Sequence, residues 1–169
     1  MNIQRPLGLS GDGSAGYDDD VFAWACAQRD ALSRRDIAAL DWDNLAEEID
    51  DLGKSQLGEM ESRLATILEH LLKYEFGLVR EPARGWKRTI IVQRSELARL
   101  LRRNPSLAAR LDEIAADVYD DARRNALAAF EEHEPDDLAL YAGRLPVALP
   151  YAARSLLDPE FMPAARSSR

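Results

Sequence analysis

Apolar residues recur along this chain at spacings of three and four, and no run alternates as a strand would. The pattern predicts four main helices. The first runs from about Asp18 to Ser33, with Val21, Trp24, Ala25, Ala31 and Leu32 on its apolar face. Asp18, Asp19 and Asp20 fall in its first turn, where the helix dipole favours negative charge. The second runs from about Asp43 to Phe76 along Leu45, Ile49, Leu52, Met60, Leu64, Ile67, Leu68 and Leu71. Gly53 and Gly58 each weaken its middle by about 1 kcal/mol relative to Ala, so a bend or break is expected there. The third helix spans about Trp86 to Arg103 and stops at Asn104-Pro105. The fourth spans Ser106 to about Glu131 on Leu107, Leu111, Ile114, Val118 and Ala122. A segment punctuated by Pro135, Pro146, Pro150, Pro159 and Pro163 follows, with one short helix at Tyr151–Leu157.

These elements predict an all-α fold: a helical bundle with a C-terminal strap. Residues 1–16, with four glycines and Pro6, are expected to form a flexible leader, residues 17–162 a single helical domain, and residues 163–169 a flexible tail. Hydrophobic residues at 46% and charged residues at 31% place the chain among globular proteins rather than disordered ones. The N-terminus has no apolar core of a secretory signal, and no stretch approaches a membrane span, so a cytoplasmic location is expected. The single Cys26 leaves no internal disulfide and no cysteine-rich zinc site, and it lies beside an apolar face as a packed thiol would.

Several polar residues stand where the wheel asks for apolar ones. Arg94 lies between Ile90 and Leu97 on the apolar face of the third helix, with Gln93 close by. Gln28 lies between Trp24 and Leu32. Asp121 and Asn125 continue the stripe of the fourth helix, and Glu48 and His70 flank that of the second. A buried charge needs a partner, so Arg94 is expected to meet a carboxylate, Glu48 or Asp121. Gln28, Glu48, His70, Arg94 and Asp121 are the candidate cluster. Its preferred reading is a network that fixes helix register; the alternative is a pocket for a small molecule or a metal, with His70 and Glu48 the candidate ligands. On one straight helix those two would stand about 33 Å apart, so a shared site needs a break at Gly53–Gly58. No His-x-x-x-His or Glu-x-x-His spacing, glycine-rich phosphate loop or nucleophile elbow occurs, and no cofactor is expected.

The net charge of −8 is unevenly spread. Residues 36–61 are strongly acidic. Arg80, Arg84, Lys87, Arg88, Arg94, Arg99, Arg102 and Arg103 make residues 78–103 basic. The preferred reading is mutual attraction of the second and third helices. The alternative is an anion- or nucleic-acid-binding face along Arg80–Arg103, with Trp86 placed to stack on a base, against which the acidic total weighs.

The order of certain residues adds a resemblance. Tyr17-Asp18-Asp19-Asp20 with Trp24 and Gln28 opens it. Leu40-Asp41-Trp42-Asp43-Asn44-Leu45-Ala46-Glu47-Glu48-Ile49, then Leu52-Gly53-Lys54-Ser55, is its most specific part. His70-Leu71-Leu72-Lys73-Tyr74, Gly85-Trp86, Thr89-Ile90, Gln93-Arg94 and Asn104-Pro105-Ser106-Leu107 continue it, and Pro150-Tyr151, Leu156-Leu157-Asp158, Phe161 and Pro163 close it. The chain thus resembles the bacterial family called domain of unknown function 29, over about residues 17–163. The resemblance implies a helical protein and carries no activity over. The family pattern includes positions matching Trp24, Gln28, Trp42, Asn44, Glu48, His70, Lys73, Trp86 and Arg94. The stretch Asp30–Asp36 departs from the Leu-Leu-Arg-x-Gly-like turn that relatives often carry.

With no catalytic constellation, the reading leans away from an enzyme and toward a non-catalytic interaction or regulatory protein. A protein partner or self-association is expected, with Trp42 and Trp86 as candidate contacts.

Overall fold

The computed structural model describes residues 16–77 and 83–166. Among them are eight α-helices and no strand: α1 (Val21–Arg34), α2 (Trp42–Phe76), α3 (Ala83–Arg103), α4 (Pro105–Ala108), α5 (Leu111–Asp117), α6 (Tyr119–His133), α7 (Leu138–Arg144) and α8 (Ala153–Leu157). Short 3-10 turns lie at Ile37–Ala39 and Pro135–Asp137. The fold is all-α, as the periodicity predicts. The chain divides into two compact units, Met1–Gly53 and Lys54–Arg169. The expected leader, 1–16, lies outside the described residues except for Gly16.

In the first unit, Asp20 caps α1 by accepting from the Ala23 N–H at 2.9 Å. The helix ends at Arg35, whose φ of 59° is left-handed and whose N–H closes onto the Ala31 and Leu32 carbonyls. That position is usually given to glycine; here an arginine takes it, in the stretch where the sequence leaves the family's turn.

The helix α2 runs unbroken from Trp42 to Phe76, contrary to the expected bend. A Cβ added at Gly53 or Gly58 would meet nothing within 4 Å, so these glycines serve no close approach and cost only their intrinsic propensity. In the second unit the residues from Met60 onward bury Met60, Leu64, Ile67, Leu68, Leu71, Leu72 and Phe76, and that burial outweighs the two penalties. At the end of α2 the case reverses. A Cβ on Gly77 would lie 2.5 Å from the Lys73 carbonyl oxygen and 3.0 Å from the Trp86 ring, so only glycine fits.

The fourth predicted helix is three pieces, α4, α5 and α6. Pro105 opens α4 at its first turn, and the chain turns at Ala109-Arg110 before α5. Between α5 and α6 only Val118 departs from the helix, and its N–H still bonds Ile114 O while its carbonyl receives Ala122 N–H. The buried stripe runs on in one phase from Leu111 and Ala115 through Tyr119, Ala122, Ala126 and Phe130. Asp121 and Asn125 therefore face out. The helix α7 was not anticipated from the periodicity; its Tyr141 is fully buried and stacks on Phe130 at 3.9 Å between ring centroids.

Candidate docking groove

The first unit ties itself together through polar side chains. Asp41 is the hub. Its carboxylate accepts from the Trp24 indole N–H (3.0 Å), the Asn44 amide (2.7 Å) and the Asn44 backbone N–H (3.3 Å). These bonds, that of Asn44 foremost, hold the Asp41 carboxyl below its usual pKa. Gln28, buried on α1, accepts from the Asp41 N–H at 2.9 Å. Tyr17 donates to Glu48 at 2.5 Å and meets Trp24 edge-on at 4.9 Å. The Glu48 carboxylate, as acceptor and as a nearby negative charge, pushes the Tyr17 phenol up to about 12. These bonds fix α1 against the start of α2 and cap α2 at its N-terminus.

This pairing leaves apolar surface unspent. Among the described residues of the first unit only Trp24, Gln28 and Ala31 are buried. Between the two helices lies a groove of about 410 Å³. Val21, Trp24, Ala25, Gln28, Arg29, Leu32 and Ser33 line it from α1, and Leu45, Glu48, Ile49 and Leu52 from α2. Val21 is 50% exposed, Leu32 52%, Ile49 68% and Leu52 63%. Packed on each other, the two amphipathic helices leave part of both stripes exposed. The positions 21, 25, 28 and 32 on α1 and 45, 49 and 52 on α2 each follow one line of their helix along the groove. The sequence already held this signal: it placed Val21, Leu32, Ile49 and Leu52 on apolar faces but assumed those faces were buried.

The rim is acidic. Met1–Gly53 holds twelve acids against four arginines, a net of −8, while Lys54–Arg169 is formally neutral. The entire net charge of the chain sits on the unit that carries the groove.

The remaining candidate residues lie in the second unit, each with its own partners. Arg94 is 4% exposed, as the wheel predicts, but meets neither expected carboxylate. Its guanidinium donates to three backbone carbonyls of the strap: Leu156 (2.9 Å), Phe161 (2.8 Å) and Ser155 (3.2 Å). Two of these belong to the last turn of α8, the negative end of its dipole, where Ser155 O accepts also from the Asp158 N–H; the carbonyls take the place of the expected carboxylate. Burial pulls the Arg94 pKa down, and Asp158 pulls it back.

His70 is mostly buried, and its Nδ1 donates to the Thr66 carbonyl at 2.9 Å, since a carbonyl can only accept. Burial first, then the Lys73 charge, hold its pKa below the usual value against the opposing pull of Glu69. Lys73 pairs with Glu69 at 2.7 Å. Asp121 is exposed and pairs with Arg124. Among the described residues no group of three or more His, Cys, Asp and Glu is placed to hold a metal ion. Thus His70, Arg94 and Asp121 are separately partnered, and Gln28 and Glu48 line the groove.

The expected attraction between acidic α2 and basic α3 takes a reversed form in the second unit. Arg63 of α2 pairs with Glu59 of its own helix at 2.7 Å and reaches Glu96 of α3 at 3.7 Å, with Gln93 as a further acceptor. On α3, Arg84, Lys87 and Arg88 are exposed, and Arg99 pairs with Glu96; Arg80 lies outside the described residues. Trp42 is 60% exposed, whereas Trp86 is half-buried against Gly77.

One buried cluster has no mark in the local sequence pattern. Glu75 accepts from the Tyr151 hydroxyl at 2.8 Å and from Arg166 Nε at 2.7 Å. Burial, then Glu75, raise the Tyr151 pKa. Arg166, from the expected tail, also lies over the Phe76 ring at 5.2 Å. No local pattern marks Glu75, because its partners are 76 residues and more away.

Comparison with known proteins places the chain at the family level. The family model for domain of unknown function DUF29 matches residues 17–162. The chain belongs to this family. No curated protein and no solved structure matches it. No helix among the described residues is long and apolar enough to cross a membrane.

Proposed function

We propose that this DUF29 chain is a non-catalytic interaction protein whose groove between α1 and α2 docks a cationic amphipathic helix. The observation that carries this reading is the combination of four half-exposed apolar side chains on the groove walls with a −8 charge confined to the same unit. A helix presenting residues at i, i+3, i+4 and i+7 fits between two parallel stripes of this spacing. Its Lys and Arg residues would meet Glu48 on the groove wall and the net negative charge of the unit, which discriminates against acidic helices.

The test uses the full chain and a synthetic helix of about 18 residues with Leu on one face and Lys on the other. Saturable one-to-one binding is expected, weakened at least about tenfold by Ile49→Asp, since a charge in an apolar contact costs more than about 1.4 kcal/mol. A peptide of the same pattern with Glu for Lys should not bind. Equal binding of the Lys peptide to wild type and Ile49→Asp would overturn the reading.

A further inference from the structure

We infer that the helix filling this groove is α3 of a second copy of the chain. This rests on the docking reading above and names its occupant.

The argument begins with α3 itself. Between Ala83 and Arg103 it carries seven cations against the single acid Glu96. Arg94 is committed to the strap and Arg99 to Glu96. Arg84, Lys87 and Arg88 are exposed. In their midst Ile91 is 53% exposed and Val92 48%. Positions 84, 88 and 91 follow one line of the helix, with 87 beside it, so Ile91 stands within a cationic face. Ile91, with Arg84, Lys87 and Arg88 around it, offers an apolar centre of opposite charge to the acidic unit that carries Ile49 and Leu52.

Charge selects the pairing. Groove against groove would bring together two units of −8, and α3 against α3 two helices of +6. Groove against α3 brings opposite signs together over an apolar centre, which favours both encounter and register. Such a contact is heterologous: one surface on one copy meets a different surface on the next.

The experiment is sedimentation velocity on the full chain from roughly 1 to 100 μM, at about 50 and 500 mM salt. Self-association that weakens at the higher salt is expected. Ile49→Asp, or Leu52→Asp as a second groove variant, should be monomeric. The α3 double variant Arg88→Glu with Ile91→Asp should be monomeric too. All these positions are exposed, and far-UV circular dichroism should match wild type. The decisive sample mixes groove variant with α3 variant: one intact groove then meets one intact α3, and a one-to-one complex should reappear. If the α3 variant still self-associates through its intact groove, or if both variants are monomeric and the mixture stays so, docking stands and the α3 assignment falls. If wild type is monomeric throughout yet binds the Lys/Leu peptide, the same conclusion holds. If it is monomeric and binds no peptide, the docking reading falls as well.

Discussion

Arg94 shows how a single residue can be placed correctly and its partner misjudged. The wheel puts it on the apolar face, and a buried cation must be neutralised or well bonded. The sequence suggested a carboxylate, yet three carbonyls some sixty residues away supply the acceptors. Replacing Arg94 with Met keeps the volume and takes the guanidinium donors from the Leu156, Phe161 and Ser155 carbonyls, of which Ser155 keeps the Asp158 N–H. A loss of about 2–4 kcal/mol in urea denaturation is expected, through release of the strap. His70 carries a pH signature. Its folded pKa lies below the unfolded value, so the unfolded chain binds the extra proton first. The stability His70 contributes is therefore present above about pH 6.5 and lost as pH falls toward and through the folded value. Denaturation between pH 7.5 and 5 should show that loss, and His70→Asn should flatten it.

Helices are the scale at which the sequence was most legible. Existence and type of α1, α2 and α3 follow from apolar periodicity, because each stripe is long. The breaks were harder. Two glycines suggested a break in α2 where none occurs, since nothing in the surroundings exploits their missing side chains. Gly53→Ala and Gly58→Ala should each raise stability by about 0.5–1 kcal/mol in thermal or urea unfolding followed by circular dichroism. Gly77→Ala should lower it by about 1–3 kcal/mol, because its Cβ would collide with backbone and with Trp86. In the fourth predicted helix the buried face is centred on Ala115, Tyr119, Ala122 and Ala126, and Asp121 falls off its edge onto the surface.

Across the whole molecule, core and charge are divided between the two units. The core cluster runs from Met60 to Leu156, entirely within the second unit. Leu64→Ala should therefore cost about 2–5 kcal/mol. Ile49→Asp, on an open face, should change folding stability by less than about 0.5 kcal/mol as measured on the same unfolding curve. Such a contrast would mark the apolar residues of α1 and early α2 as surface kept for contact rather than for folding.

The sequence by itself determined the helical class, the main helices, the family and which side chains stand on apolar faces, because periodicity and residue order are local properties. It also placed the excess acid between residues 36 and 61. Tertiary structure alone decided which apolar faces are covered. Val21, Leu32, Ile49 and Leu52 read like core residues, and only their exposure on the walls of the groove marks them as surface. It likewise decided the partners of Arg94, Glu75 and Tyr151, since bonds spanning sixty residues or more leave no trace in local spacing.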